Sequence, residues 1–186
     1  ACERLFGPAI RIARTIKRRI AEDTQLVASV GVAPNKFLAK LASDIKKPDA
    51  LVSVKEHEVQ TFLDPLPVSR VWGVGRRTAQ TLERIGVRSI ADLRRQERHA
   101  LESLFGKTGA HLWRLARGLD DRLVVPEQEA RSVSHETTFE TDVSDADVMR
   151  VWLLDLAEQV GARLRRNGLF ARTIHIKVRF HDFRTI

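Results

Sequence analysis

Cysteine is almost absent from this chain. Its 186 residues include one, Cys2, which excludes a disulfide framework and a cysteine-based metal cluster and suits a reducing cytosol. Long apolar runs are missing too. Hydrophobic residues make up 43%, a globular share, but they fall in short stretches, none near the roughly 20 residues of a membrane helix. No membrane partner is expected. The first residues lack the basic segment and apolar core of a secretory signal. Familiar catalytic constellations are lacking as well: no Ser/His/Asp set at interpretable spacing, no H-E-x-x-H and no Walker loop. His175 and His181 share a strand face but stand about 20 Å apart, too far for one metal ion. Asp120 and Asp121 are adjacent and splay apart, which disfavours a two-metal role.

Charge is plentiful. Thirty-two Lys+Arg against 24 Asp+Glu leave a formal +8, a balance that directs a globular protein towards polyanions. The length fits one medium domain or two to three small ones.

Residues 7–23 predict a helix. Pro8 sits in its first turn. Ile10, Ala13, Ile16 and Ile20 make an apolar stripe, and Arg11, Arg14, Lys17, Arg18 and Arg19 a solvated basic face. Residues 26–33 (LVASVGVA) have the length and continuity of a buried strand. A second helix opens at Pro34-Asn35 and ends near Lys47, because Pro48 disfavours helical geometry before it. Leu38, Leu41, Ala42 and Ile45 face one way, and Lys36, Lys40 and Lys47 cluster on another side. Asp44 reads as their salt-bridge acid. A short strand at 51–54 and a short helix at 55–63 continue a pattern that fits half of an α/β or α+β layer.

Pro65 and Pro67 mark a change of texture. Short helices separated by glycines follow, among them RRTAQTLERIG, closed by Gly86, and a helix opened by the capping pair Ser89 and Asp92. Residues 119–130 lack periodicity, contain Pro126 and read as a linker. Residues 131–141 predict a strand. Ser144 and Asp147 open a long helix (144–167) with Val148, Trp152, Leu156, Val160 and Leu164 on one stripe. In the last segment Ile174, Ile176, Val178 and Phe180 alternate with Thr173, His175, Lys177, Arg179 and His181, the signature of a half-buried strand.

The turn Trp72-Gly73-Val74-Gly75 is the most informative short motif. Its glycines let a backbone approach another group closely, and the helix starting at Arg76 offers unpaired N–H donors at the positive end of its dipole. A plain packing turn is the alternative. Repetition as Phe105-Gly106-Lys107-Thr108-Gly109, in a basic chain, favours phosphate binding.

The segments SVGVAPNKFLAKLASDIKKPDALVSV (29–54), LPVSRVWGVGRRTAQTLERIGVRSIADL and ARSVSHETTFETD follow one another as in the Y-family translesion DNA polymerases. The chain resembles the bacterial polymerase IV group of that family (impB/mucB/samB type) along essentially its whole length. The resemblance implies an α+β multidomain fold. Residues 1–64 correspond to the end of an α/β palm and 65–120 to a helical thumb with two helix-hairpin-helix turns. Residues 121–130 form a linker, and 131–186 the first, β-α-β part of a little finger with an incomplete sheet. By the same likeness Lys47 contacts the triphosphate of an incoming deoxynucleotide. Gly73, Val74, Gly75 and Arg76 grip DNA phosphate at one thumb turn, and Gly106, Lys107, Thr108 and Gly109 at the other. Arg131, Ser132, Ser134, His135 and Thr137 belong to a strand tracking the template backbone. The implied partners are primer-template DNA, a deoxynucleoside triphosphate and a sliding clamp held by a peptide past residue 186, in the bacterial cytosol or nucleoid.

The family holds two Mg²⁺ ions through an aspartate of its first palm strand and a later Asp-Glu pair. Neither has a counterpart here, nor do the fingers and the steric gate. The expectation is an internal fragment with no catalytic or metal-binding residue and no bound cofactor of its own. A non-catalytic DNA-binding module or truncated gene product is the alternative. Two little-finger strands without further neighbours would leave an open edge, prone to pair with a second copy. Incubated with primer-template, four nucleotides and Mg²⁺, the chain is expected to give no extension. Template-dependent product above a mock preparation would contradict this.

Overall fold

The computed structural model describes residues 2–126 and 131–186. Its contacts divide the chain into two units, Ala1–Val124 and Val125–Ile186.

The first unit begins with α1 (Cys2–Phe6) and α2 (Ala9–Thr24). The helix expected over 7–23 is α2, with Pro8 as the residue before it and not within its first turn, and α1 precedes it. Lys17 departs from the solvated face assigned to it. Its ammonium donates to the carbonyl of Ala28 at 2.5 Å and pairs with Asp49 at 2.6 Å, so it ties α2 to the segments entering both strands. Those strands are β1 (Val30–Val32) and β2 (Leu51–Ser53), a parallel pair in the register Val30↔Leu51, Gly31↔Val52, Val32↔Ser53. The apolar run expected as a strand over 26–33 pairs only at its end, and Leu26 and Val27 are exposed. The crossover is α3 (Lys36–Ile45), capped by Asn35, whose side chain accepts from the Leu38 N–H at 3.0 Å.

A 3₁₀ turn, Glu56–Glu58, runs into α4 (Val59–Leu63), and another, Val68–Arg70, leads to α5 (Arg76–Arg84), α6 (Ile90–Arg95), α7 (Arg98–Phe105) and α8 (Lys107–Leu115). The expected end signals hold. Gly86 closes α5 with its N–H on Glu83 O and the Val87 N–H on Leu82 O, the Schellman pattern. Ser89 caps α6, accepting from the Asp92 N–H while Asp92 accepts from the Ser89 N–H.

One core serves the whole unit. Phe37, Leu38 and Leu41 of α3 pack in the same buried cluster as Leu63, Leu82, Ile90, Leu93, Leu112 and Leu115. The proline-marked junction at 65–67 runs through this shared core, fastened by a bidentate Arg94–Asp64 pair at 3.1 and 2.8 Å. Helices α7 and α8 cross closely at Gly109, where a Cβ would lie 1.9 Å from the carbonyl oxygen of Leu101.

The second unit is built on α9 (Ala146–Arg166). Its cap is Asp145, one residue later than expected, accepting from the N–H groups of Asp147 and Val148. The predicted strands at 131–141 and 170–183 do not form a sheet. The first is extended without a ladder. The second contributes a tight hairpin, with Val178 and Ile186 exchanging two hydrogen bonds at 3.0 Å and Arg179 bridging Thr185. Alternation shows which face a strand would bury, but a ladder also needs a neighbouring backbone. The apolar stripe of α9 is only partly covered, by contacts such as the edge-on Phe139–Trp152 pair at 5.5 Å. Among the described residues no helix is long and apolar enough to cross a membrane.

Gly109→Ala is expected to lower the stability of the first unit by at least about 1–3 kcal/mol, the cost of forcing extra volume into a packed contact. Urea unfolding measures it; a loss below ~0.5 kcal/mol, the size of an ordinary surface change, would show that α7 and α8 can separate freely.

Candidate nucleic-acid interface

The turn before α5 combines anchoring with openness. Val71 is buried, and the Val74 N–H donates back to its carbonyl at 3.0 Å. Between them Trp72 is 49% exposed and Gly73 has φ +93°, a conformation that favours glycine. Gly75 is different. Its φ is −80°, open to any residue, and a Cβ there would meet nothing within 4 Å. The protein's own packing therefore gives no reason for glycine at 75. The amides of Gly75, Arg76 and Arg77 have no acceptor among the described residues, and the Arg76 and Arg77 side chains are exposed without an acidic partner there. Bare glycine, open amides, a helix N-terminus and free cations make a surface suited to an anion.

The second glycine turn is tighter than its sequence suggests. Gly106 (φ +58°) alone separates α7 from α8. Lys107 and Thr108 are exposed in the first turn of α8, with amides open as at α5. Gly109 is buried at the α7–α8 crossing, and its N–H donates to the Gly106 carbonyl at 2.9 Å.

Lys47 lies just past the end of α3, 58% exposed, its ammonium 2.6 Å from Asp44. Lys40 binds the other oxygen of the same carboxylate. Hydrogen bonds from Lys40, then Lys47, hold the Asp44 carboxyl at about 2, below its ordinary 3.8. Asp44 is the salt-bridge acid its sequence position suggested. Lys36 instead donates to the carbonyl of Leu123 at 2.8 Å.

In the second unit Arg131, Ser132, Ser134, His135 and Thr137 all lie exposed along the extended segment. Arg163 of α9 donates to the Ser134 carbonyl at 3.1 Å and approaches His135 Nδ1 at 3.5 Å. Lys177 pairs with Glu136 at 3.4 Å.

Sequence reasoning missed one cluster, at the start of what it took for linker. The Asp120 side chain is 2% exposed. It accepts from the Phe37 N–H at 3.2 Å and from Arg122, Nε at 2.6 Å and Nη2 at 2.9 Å. The Arg122 guanidinium lies over the Trp72 ring, 4.5 Å from its centre. Asn35 donates to the Gly118 carbonyl at 2.7 Å. Arg122 holds the Asp120 carboxyl below its usual range, against the opposing effect of burial. The available signal was an acid two residues before an arginine and two residues after a helix-ending glycine.

Comparison with known proteins gives these features a context. The impB/mucB/samB family model matches residues 1–44, a DNA polymerase-iota thumb domain matches 69–120, and the impB/mucB/samB family C-terminal domain matches 130–186. The chain belongs to the Y-family DNA polymerases. It is 46% identical over 185 residues to a DNA polymerase IV of Alkalilimnicola ehrlichii, covering 100% of this chain and 52% of the relative. With those of Desulfatibacillum aliphaticivorans and Methanoculleus marisnigri it shares 42% over 180 residues, 97% of this chain and 46% and 50% of the relatives. The chain spans about half the length of the curated relatives it matches. Its fold is α+β, with a small parallel sheet and a helical block matching a Y-family thumb.

Polymerases of this kind generally use metal ions, and the residues described here do not fit such a site. No three His, Cys, Asp or Glu side chains among them converge, and Asp44, Asp92 and Asp120 are engaged by lysines, by backbone amides and by Arg122.

Because the Asp44 pKa is depressed, its contribution to stability is present above about pH 3.8 and is lost as pH falls through about 2. The end of α3 should loosen across that window. A carboxyl-carbon NMR titration of Asp44 with its midpoint near 3.8 would show that the two lysines do not hold it.

Proposed function

We propose that this chain is the DNA-gripping part of a translesion polymerase of the polymerase IV group, which binds primer-template DNA through its phosphates. Residues 1–64 act as the end of the palm, 65–120 as the thumb and 131–186 as the start of the little finger. The open glycine at 75, with free amides on α5, carries the reading: it is a place kept clear for something outside the chain.

In this scheme the amides at 75–77 and at 107–108 donate to phosphate oxygens, and Arg76, Arg77 and Lys107 supply the charge. Such contacts position a duplex without reading its bases. Lys47, at the free end of α3, is directed at the triphosphate of an incoming nucleotide, and Asp44 keeps it in place. The exposed segment at 131–137 offers Arg131, hydroxyl groups and His135 to a second stretch of backbone. Exposed Phe170, Ile174 and Ile176 support association of the second unit with a further strand, such as that of a second copy. In this scheme the chain's own contribution is binding and orientation.

Duplex affinity should fall steeply with salt, with a log–log slope near −5 if about six phosphates are neutralised. Gly75→Val, at an ordinary φ with open space around it, should fold as the parent does. It should weaken duplex binding about tenfold, the worth of one or two charge-assisted hydrogen bonds. A slope near zero, or equal affinity of the variant, would return the turn to a simple packing role.

A further inference from the structure

The turn at 73–76 contains two glycines that touch no other residue through a Cβ position, and glycine is the residue that loses most conformational freedom on ordering. Its shape must therefore be imposed by its neighbours. Val71 and Val74 hold one side through the core. The other side has Trp72, whose indole is half exposed and lies against Arg122. Arg122 is itself fixed: two of its N–H groups grip Asp120, and Asp120 is almost wholly buried, accepting from the Phe37 N–H in the first turn of α3.

We infer that Asp120, Arg122 and Trp72 form a clip that holds the phosphate turn against the N-terminal end of α3, and that Arg122 is a positioning residue for the grip on DNA. The inference rests on the phosphate reading of that turn. Arg122 suits the task because its planar fork can bind a carboxylate edge-on and stack on an indole at once. Its charge is spent on Asp120, so it is not a spare phosphate contact. The clip also assigns a role to residues 120–123. They leave α8 and double back to fasten the thumb turn to α3, with the Lys36–Leu123 hydrogen bond at 2.8 Å closing the loop.

The experiment uses the 186-residue chain with two variants, each checked for unchanged helix content. Arg122→Lys keeps the counter-charge of Asp120 but loses fork and stack; Trp72→Ala removes an exposed ring. Each should weaken binding to a short duplex about tenfold, the cost of ordering a freed turn and its side chain on association. The double variant should bind no more weakly than the worse single one. Wild-type affinity for Arg122→Lys would show that only its charge matters, and additive losses would make the two residues independent contacts; either overturns the clip. A second readout needs no DNA. With Trp113 and Trp152 replaced by Phe, the fluorescence anisotropy of Trp72 should decay faster in the Arg122→Lys background, and an unchanged decay overturns the clip. If the unaltered chain shows no salt-dependent duplex binding, the phosphate reading falls, and the anisotropy alone decides whether the clip exists.

Discussion

The apolar face of α3 is the constraint on which the first unit depends. Phe37, Leu38 and Leu41 of this crossover helix are buried in a cluster that extends through the helical block to Leu112 and Leu115. One helix thereby joins the parallel pair to the glycine-turn helices. Residues with very different chemistry, Lys47 beyond its C-terminal end and the glycine turn at 72–75, are referred to a common scaffold. Core burial at roughly 25 cal/mol per Å² is non-directional, however. The orientation of the parts comes from polar fastenings at the periphery: Arg94–Asp64, Asn35 with Gly118, and Asp120 with Arg122.

Charge is distributed with the same division of labour. In a chain of net +8, carboxylates serve as local counter-ions. Asp44 takes two lysines, Asp64 takes Arg94, and Asp120 takes Arg122. Asp92 is spent on the amide and hydroxyl of Ser89 and then the amide of Arg88, which hold its carboxyl at about 2. The cations beside the two open helix N-termini, Arg76, Arg77 and Lys107, have no such partner among the described residues. Unpaired positive charge thus lies beside backbone donors that are also unspent, and an anion bound there gains from both.

The second unit is organised differently. Its long helix is well capped at Asp145, yet its residues include none of the fully buried core. Val178, Ile176 and Phe180 keep their alternation without a sheet behind it. A helix with tapering cover and a single hairpin bury too little apolar surface to fix a tertiary arrangement by themselves. The same residues would complete a layer if further strands were supplied.

Much of the local structure was legible in the residues alone. Asn35, Ser89 and Gly86 mark helix ends through hydrogen bonds that reach only a few positions along the chain, and a short-range cause leaves a short-range signal. The apolar face of α3 followed from the 3.6-residue period, and the glycine turn before α5 from its composition. Other features are decided by what lies far away in sequence. The strand expected at 26–33 shrank to three residues because only those meet β2. The strand expected at 170–183 lost its ladder for want of a neighbouring backbone. Lys17 left its solvated face because Asp49 came within 2.6 Å. Gly75 and Gly109 look alike as letters, but the tertiary structure makes one a clearing on the surface and the other a contact inside the core. Asp120 read as an unremarkable loop acid until folding placed it against the first turn of α3, 83 residues away; that pairing has no local cause, so only the tertiary structure decided it.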